Sequence, residues 1–137
     1  MKIKFKKLSE AATIPSTPRL GDAGIDLVAA RLSVDTRDLI TYYTDLAVEI
    51  PEGYVGLLFQ RSSVYKTDLY LRNAVGVIDS SYRGNIACVF KRNGPYTYAI
   101  GDRIAQLVIV PYVQAQVEEG DLSDTERNTG GFGSTGN

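Results

Sequence analysis

Short stretches of alternating or continuous apolar residues, separated by turns, run along most of this chain. They cover residues 2–7, 46–50, 54–59, 75–78, 86–90, 96–100 and 104–110. A period of two suits a strand with one buried face, and turn residues recurring about every ten positions are typical of β-sandwiches and barrels. The sequence therefore predicts an all-β fold, and its 137 residues suit one domain with a substantial core.

Two regions depart from the strand pattern. Residues 61–71 are the one candidate for a short helix, with Ser62 or Ser63 as its N-cap. Residues 123–137 have no apolar periodicity and contain four of the 13 glycines. We therefore expect a β domain over residues 1–122, with at most one short helix, followed by a flexible glycine-rich C-terminal arm over residues 123–137.

Composition narrows the possible functions. The net charge of −1 provides no general attraction for nucleic acid or a membrane, and no apolar run is long enough to span a bilayer or to form a signal peptide. The single cysteine, Cys88, excludes an internal disulfide and is expected to be buried, so we expect a cytoplasmic protein, or one inside an infected cell. The chain has no histidine, which rules out Ser-His-Asp and Cys-His catalysis and leaves a carboxylate as the expected base.

Residues 73–85 are predicted to form a β-hairpin, because two apolar alternations flank a turn of serine, tyrosine and glycine. Gly76 in the first strand suits the close approach of another group. Asp79 lies where that strand meets the turn and Tyr82 follows it, an arrangement that could form a pocket wall. The alternative is that Asp79 only caps its own turn, as aspartates often do.

Two further groups of polar residues could bind an anion. Arg61, Ser62 and Ser63 follow a strand, and a guanidinium together with hydroxyl and helix N–H groups can hold phosphate oxygens. The alternative is a capped helix with a solvated arginine. Gln106 is the polar residue inside an apolar strand, so it either finds hydrogen-bond partners or faces solvent.

The arm also contains residues with binding chemistry. Glycines allow backbone N–H groups to approach phosphate, Ser134 and Thr135 can donate hydrogen bonds, Phe132 can stack on a base and Arg127 can neutralise charge. The alternative is an ordinary disordered terminus.

Five segments, taken in order, resemble the five motifs of the trimeric dUTPase family. They are residues 22–27, 56–63, 73–84, 101–107 and 127–136, and the resemblance covers essentially the whole chain. It implies a single-domain, distorted jelly-roll fold and a homotrimer whose active sites are shared between subunits. It also implies Mg²⁺-dependent hydrolysis of dUTP to dUMP and pyrophosphate.

The resemblance implies roles for the central stretch. Asp79 would orient and deprotonate the water that attacks the α-phosphorus, and Tyr82 would pack under the deoxyribose and leave no room for a 2′-hydroxyl. Uracil would be bound by a group of neighbouring residues: Asn73, Gly76, Val77, Ile78 and, closing the slot from the return strand, Ala87.

The other implied roles concern the triphosphate and the metal. Asp26 would hold a Mg²⁺-bound water. The phosphate groups would contact Arg61, Ser62, Ser63 and Gln106. The mobile arm would bring Arg127 to the γ-phosphate and Phe132 over the base, with Gly133, Ser134 and Thr135 beside them.

Elementary chemistry agrees with this resemblance, because cleaving a triphosphate requires its charge to be spread over Mg²⁺, arginine and backbone N–H groups. The chain departs from the family pattern at three positions. Ser63 and Asn128 replace glycines that are usual in the family, and Ser81 replaces a common acid. These departures concern the geometry of the loops and the flexibility of the arm.

Two other functions compete with this one. A dCTP deaminase shares the fold, but that family is expected to use a glutamate after the hairpin, and residues 86–90 contain no acid. A dUTPase-like fold could also act as a nucleotide-gated module that binds another protein, a role that could coexist with catalysis.

Overall fold

The computed structural model describes residues 1–134 and residue 136. Within these residues the chain forms ten β-strands and one 3₁₀ helix. The strands are β1 (Lys4–Lys7), β2 (Ile25–Val28), β3 (Arg31–Asp35), β4 (Leu39–Tyr43), β5 (Leu46–Glu49), β6 (Tyr54–Gln60), β7 (Leu69–Leu71), β8 (Gly76–Ile78), β9 (Ala87–Arg92) and β10 (Arg103–Pro111). The helix covers Ser62–Lys66.

The strands form two four-stranded antiparallel sheets and one two-stranded ribbon. One sheet has the order β2-β10-β6-β8, the other has the order β3-β4-β9-β7, and β1 pairs with β5. The core between the sheets includes Leu27, Tyr42, Phe90 and Leu107, none of which is exposed. Tyr42 and Phe90 meet edge to face, with their ring centroids 6.0 Å apart. The predicted all-β, jelly-roll-like fold is confirmed.

A short helix follows Arg61, as predicted, but two local predictions were wrong. The helix is a five-residue 3₁₀ helix that ends before strand β7 begins at Leu69, and its N-cap residue is Arg61, with no side-chain capping bond from Ser62 or Ser63. Residues 96–100, predicted as a strand, form none. They are held instead by loop contacts, since Asp68 accepts a hydrogen bond from the Tyr96 backbone N–H at 2.9 Å.

The predicted β-hairpin is also wrong in its pairing. The two strands exist, but β8 pairs with β6 and β9 lies between β4 and β7 in the other sheet. Residues 79–86 therefore cross from one sheet to the other rather than closing a tight turn. Because β8 and β9 are not paired with each other, a gap opens between them.

Beyond β10 the described part of the chain contains no further strand. Three apolar side chains of this segment are almost fully exposed: Val113 at 90%, Val117 at 96% and Leu122 at 94%. No helix among the described residues is long and apolar enough to cross a membrane. The proposed boundary at residue 122 stays a prediction.

Candidate active site

A small cavity of about 280 Å³ lies between β8, the crossing segment 79–86 and the start of β9. We call it the slot. Its lining contains seven residues predicted from the sequence: Asn73, Gly76, Val77, Ile78, Asp79, Tyr82 and Ala87. It also contains Leu58, Asn85 and Ile86. Its volume is near the lower end of the range of small-molecule pockets, which suits a base and a sugar better than a whole nucleoside triphosphate.

One wall of the slot is an edge strand. β8 ends the β2-β10-β6-β8 sheet, so within the described residues one side of its backbone has no neighbouring strand. Free N–H and C=O groups along such an edge can hydrogen-bond a ligand. At Gly76 a Cβ atom would lie only 3.1 Å from Leu58 Cβ and 3.7 Å from Asn73 Nδ2. Glycine at this position therefore allows β8 to lie close to Leu58.

The crossing segment carries the acid and the aromatic ring. Asp79 is exposed at the rim, and its backbone carbonyl accepts a hydrogen bond from the Tyr82 N–H at 3.0 Å. The Tyr82 hydroxyl donates to the backbone carbonyl of Asn85 at 3.1 Å. The ring crosses directly over Gly84, where a Cβ atom would lie 2.3 Å from the hydroxyl oxygen. Glycine at position 84 therefore permits this orientation of Tyr82.

A second group of predicted residues gathers at the far end of β6. Arg61 donates through Nε to one oxygen of Asp26 at 2.8 Å and through Nη2 to the other at 3.3 Å. Arg103 also donates to Asp26, at 3.2 Å. Two guanidinium groups against one carboxylate leave an excess of positive charge, which favours an anion. We call Asp26, Arg61, Ser63 and Arg103 the arginine cluster.

Ser63, where the family resemblance expects glycine, is part of this cluster. Its hydroxyl accepts a hydrogen bond from Arg61 Nη1 at 3.2 Å, a contact that glycine could not make. Ser62 is exposed on the first residue of the 3₁₀ helix. That helix is short, so an anion bound here would depend on side chains and loop N–H groups rather than on a helix dipole.

Gln106 lies beside the arginine cluster, opposite Asp26 in the β10–β2 pairing. It is half-buried, and its Nε2 donates to the Gln60 backbone carbonyl at 3.2 Å. A Cβ at Gly24 would lie 2.4 Å from Gln106 Oε1, so Gly24 leaves room for this amide.

Asp79, at the rim of the slot, and the arginine cluster lie near opposite ends of β6 in the same chain. Ile78 pairs with Gly56, so Asp79 lies near the level of Val55, while Arg61 follows the last residue of β6. The six residue steps from Val55 to Arg61 span roughly 20 Å at the usual rise per residue. One chain therefore does not bring the rim acid and the cluster together.

The described part of the arm turns locally rather than packing on its own chain. Phe132 is fully exposed, and Arg127 donates to the backbone carbonyl of Gly130 at 2.7 Å. Gly133 and Ser134 are also exposed. Thr135, predicted to bind substrate, lies outside the described residues.

Asn128, where the resemblance expects glycine, has a φ of 41°. This left-handed conformation is one that asparagine tolerates better than most residues. Its backbone N–H donates to Thr125 Oγ1 at 2.9 Å and its side-chain oxygen accepts from the Thr125 N–H at 2.7 Å, so the replacement supplies its own turn.

The donors present can be compared with the needs of the predicted metal. Among the described residues no three acids or cysteines gather into a metal-binding group. Asp26 accepts three guanidinium N–H bonds, and a carboxylate has about four acceptor positions, so one remains for a metal-bound water. Mg²⁺ keeps several of its waters and commonly takes few protein ligands beside substrate phosphates. The residues therefore fit a hydrated Mg²⁺ that is held mainly by substrate.

Cys88 is fully buried, as expected, and burial raises the pKa of its thiol to about 12. At neutral pH it is protonated and hence a poor nucleophile.

Three residues at or behind these sites were missed by the sequence reasoning. Arg103 belongs to the motif at residues 101–107, but only the pairing of β10 with β2 shows that it reaches Asp26. Asn85 follows Gly84 and lines the slot. Asp45, a buried acid, leaves no signal in the local pattern because its partners lie far away in sequence.

Fold and site together place the chain among all-β proteins that bind nucleotides. A family model described as dUTPase matches residues 10–136. The chain belongs to the dUTPase family.

Relatives match nearly the whole chain. A deoxyuridine 5′-triphosphate nucleotidohydrolase from Nautilia profundicola is 42% identical over 143 residues, covering 99% of both chains. One from Gloeothece citriformis is 37% identical over 141 residues, covering 99% of this chain and 97% of the other.

Solved structures of dUTPases also match nearly the whole chain. A mutant dUTPase of Staphylococcus bacteriophage 80alpha with dUpNHpp has a TM-score of 0.82 and 32% identity, covering 98% of both chains. A mutant dUTPase from phage phi11 of S. aureus, described as coordinating a structural Mg(II) ion, has a TM-score of 0.76 and 30% identity, covering 91% of this chain and 100% of that one.

Proposed function

We propose that this protein is a dUTP diphosphatase that hydrolyses dUTP to dUMP and pyrophosphate by attack of water on the α-phosphorus. The observation that carries the proposal is the slot of about 280 Å³ with the Asp79 carboxylate at its rim. The volume of the slot suits a nucleoside, and we propose that the first phosphate of a bound nucleotide lies at the rim, beside the carboxylate.

Recognition of the nucleoside is assigned to the two walls of the slot. The free backbone edge of β8 and the Asn73 amide present donors and acceptors to the pyrimidine edge. Uracil and cytosine differ in hydrogen-bonding groups on that edge, so fixed partners discriminate between them strongly. Tyr82 closes the sugar side, where its ring leaves little room for a 2′-hydroxyl.

The chemical step needs one base and a means of dispersing charge. Asp79 accepts a proton as the water oxygen forms its bond to the α-phosphorus, and the bond to the β-phosphate oxygen breaks to release pyrophosphate. With no histidine in the chain, a carboxylate is the fitting base. Charge on the leaving pyrophosphate is met by Arg61 and Arg127, supported by Ser62, Ser63, Gln106 and Arg103.

We propose that Mg²⁺ enters the site together with the substrate. When bound, it would neutralise part of the charge on the phosphate oxygens. Asp26 is assigned to hold one of its waters, using the acceptor position that the two arginines leave free.

We further propose a homotrimer whose sites are shared between subunits. The distance of roughly 20 Å along β6 between the level of Asp79 and Arg61 is too long for one triphosphate to bridge, given the strand rise. The slot of one copy and the arginine cluster of another would together form one site. Phe132 is exposed, with no cover from the described residues of its own chain, and would close over a nucleotide bound elsewhere in the trimer.

The protein would act in the cytoplasm or within an infected cell, because free nucleoside triphosphates are intracellular substrates. The proposed division into a β domain of residues 1–122 and an arm of residues 123–137 follows from the same picture, in which the arm moves and the domain does not.

The reaction is tested by measuring pyrophosphate release from dUTP, dTTP, dCTP and UTP, with and without Mg²⁺. We expect turnover of dUTP alone and loss of activity after chelation. Release of ammonia from dCTP would instead support the deaminase alternative.

Sharing of sites is tested by mixing two inactive variants, Asp79→Asn and Arg61→Gln, after unfolding and refolding them together. If each site takes its acid and its arginine from different chains, random assortment restores roughly one quarter of wild-type activity. If both residues act within one chain, mixing restores nothing. Refolding each variant alone is the control.

A role in gating another protein is the second candidate. A dUTPase of phage 80alpha is described as controlling transfer of virulence genes by a proto-oncogenic G protein-like mechanism. The Asp79→Asn variant separates the two functions, because it should bind dUTP and turn it over very slowly. Normal turnover by this variant would remove Asp79 from the role of base.

A further inference from the structure

The bend between β4 and β5 contains a buried acid. Asp45 is only 4% exposed and has a φ of 52°, in the left-handed region that aspartate and asparagine tolerate better than most residues. A buried carboxylate needs hydrogen-bond partners for its charge.

Three side chains from three different parts of the chain donate to this carboxylate. Ser9 donates to Oδ2 at 2.8 Å, while Arg31 donates through Nε at 2.9 Å and Asn85 through Nδ2 at 2.7 Å, both to Oδ1. Burial alone would raise the pKa of Asp45, but these donors outweigh it and the pKa is lowered. The acid therefore accepts hydrogen bonds as a carboxylate.

The same bend also holds the β9 side of the slot, through hydrogen bonds to the backbone of Ile86. The carbonyl of Ile86 accepts from Thr44, through its N–H at 3.0 Å and its hydroxyl at 2.9 Å. The N–H of Ile86 donates to the Leu46 carbonyl at 2.9 Å. Residues 85 and 86, which line the slot, are thus fixed to residues 44–46 on both sides.

Asn85 connects Asp45 to Tyr82 through two hydrogen bonds. Its Nδ2 is held by Asp45, and its backbone carbonyl accepts the Tyr82 hydroxyl at 3.1 Å. Its side-chain oxygen is buried and has no hydrogen-bond partner among the described residues. Asp45 is therefore the group that orients this amide.

We propose that Asp45 is a positioning residue for sugar selection, which acts through Asn85 to hold the Tyr82 ring against the bound deoxyribose. This inference rests on the proposed function, because it takes the slot as the nucleoside site. Asp45 itself does not line the slot.

The test uses Asp45→Gly, Asn85→Ala and the double variant. Glycine accepts the left-handed backbone without strain, so the first change removes the carboxylate and keeps the bend. The quantity measured is the ratio of kcat/KM for dUTP to kcat/KM for UTP, from pyrophosphate release well below the Tm of each variant. Loss of folded protein lowers both values equally and leaves this ratio unchanged.

We expect each single variant to lower the ratio about tenfold, as for loss of one hydrogen bond to a charged group. The double variant should be no worse than either single one, because both changes break the same connection. Ser9→Ala is the matched control. It removes another donor to the same carboxylate without touching Asn85, so it should lose stability and keep the ratio.

A ratio within twofold of wild type in Asp45→Gly would overturn the proposal, and so would an equal loss in Ser9→Ala. If Asp45→Gly does not fold, Asn85→Ala decides, since an unchanged ratio there breaks the connection to Tyr82. Failure of wild type to hydrolyse dUTP at all would be a failure of the proposed function instead.

Discussion

Gly84 offers a way to disturb the slot while leaving the core intact. In Gly84→Ala the new Cβ would lie 2.3 Å from the Tyr82 hydroxyl oxygen, 2.4 Å from Cζ and 2.8 Å from Cε2. Ordinary contacts between heavy atoms are about 3.5–4.0 Å, so the ring must retreat by roughly 1 Å. Tyr82 is 43% exposed, and it can therefore swing outwards into solvent.

The expected costs to activity and stability differ. A misplacement of about 1 Å in a group that positions substrate can lower the rate by roughly a hundredfold, so kcat/KM for dUTP should fall between about tenfold and a hundredfold. The folded state loses little more than the Tyr82–Asn85 hydrogen bond, about 1 kcal/mol, which corresponds to roughly 4 °C in Tm for a domain of this size.

Gly53→Ala is the matched control. Gly53 has a φ of 83°, and a Cβ added there would meet nothing within 4 Å, so alanine strains the backbone by about 1 kcal/mol and touches no part of the slot. Activity is measured by pyrophosphate release and stability by thermal unfolding. If Gly84→Ala keeps kcat/KM within twofold of wild type, or if both variants lose activity equally, the assignment of Tyr82 is refuted.

Three further results are expected. Deleting residues 126–137 should leave the size of the assembly unchanged in light scattering and cripple dUTP hydrolysis, because Arg127 and Phe132 are lost; a normal rate would contradict a role for the arm. The lowered pKa of Asp45 means that its stabilisation is complete above its ordinary value of 3.8 and is lost as pH falls through the folded value, so acid should destabilise wild type more than Asp45→Asn in denaturant titrations. Cys88 should react with a thiol reagent such as DTNB only on unfolding, because burial raises its pKa to about 12; fast reaction of the native protein would contradict this.

The sequence predicts the central strands well because they are nearly continuous apolar runs bounded by turns. The apolar residues of β6 and β10 include Leu58 and Leu107, whose side chains are buried in the core. In β3, by contrast, Leu32 and Val34 alternate with polar residues, yet all five residues Arg31–Asp35 are exposed, so the pattern does not report burial in this chain. Its place is set by pairing with β4, which local patterns do not contain.

The wrong pairing of β8 and β9 has a similar cause. Strands that follow each other in sequence are neighbours about two-thirds of the time, so a hairpin is the natural expectation. Periodicity identifies each strand but not its sheet. Here Gly76 faces Leu58 on β6, while Cys88 faces Tyr42 on β4, and these contacts between distant residues decide the outcome.

The site residues also differ in how far the sequence alone can group them. Asn73, Asp79 and Tyr82 lie in one short stretch, so their grouping is visible in the sequence. The bonds of Arg103 to Asp26 and of Asp45 to Asn85 join residues 77 and 40 positions apart. They depend on strand register and on a bend, which a local motif cannot encode.

The slot lies at the seam where two sheets part, and each of its long walls belongs to a different sheet. Its width consequently depends on the spacing of the sheets, which the core cluster that includes Phe90 and Leu107 helps to set. A ligand seated there would contact both sheets and add to the packing that joins them. Substitutions of core residues that do not contact a nucleotide can thus change which bases fit the slot.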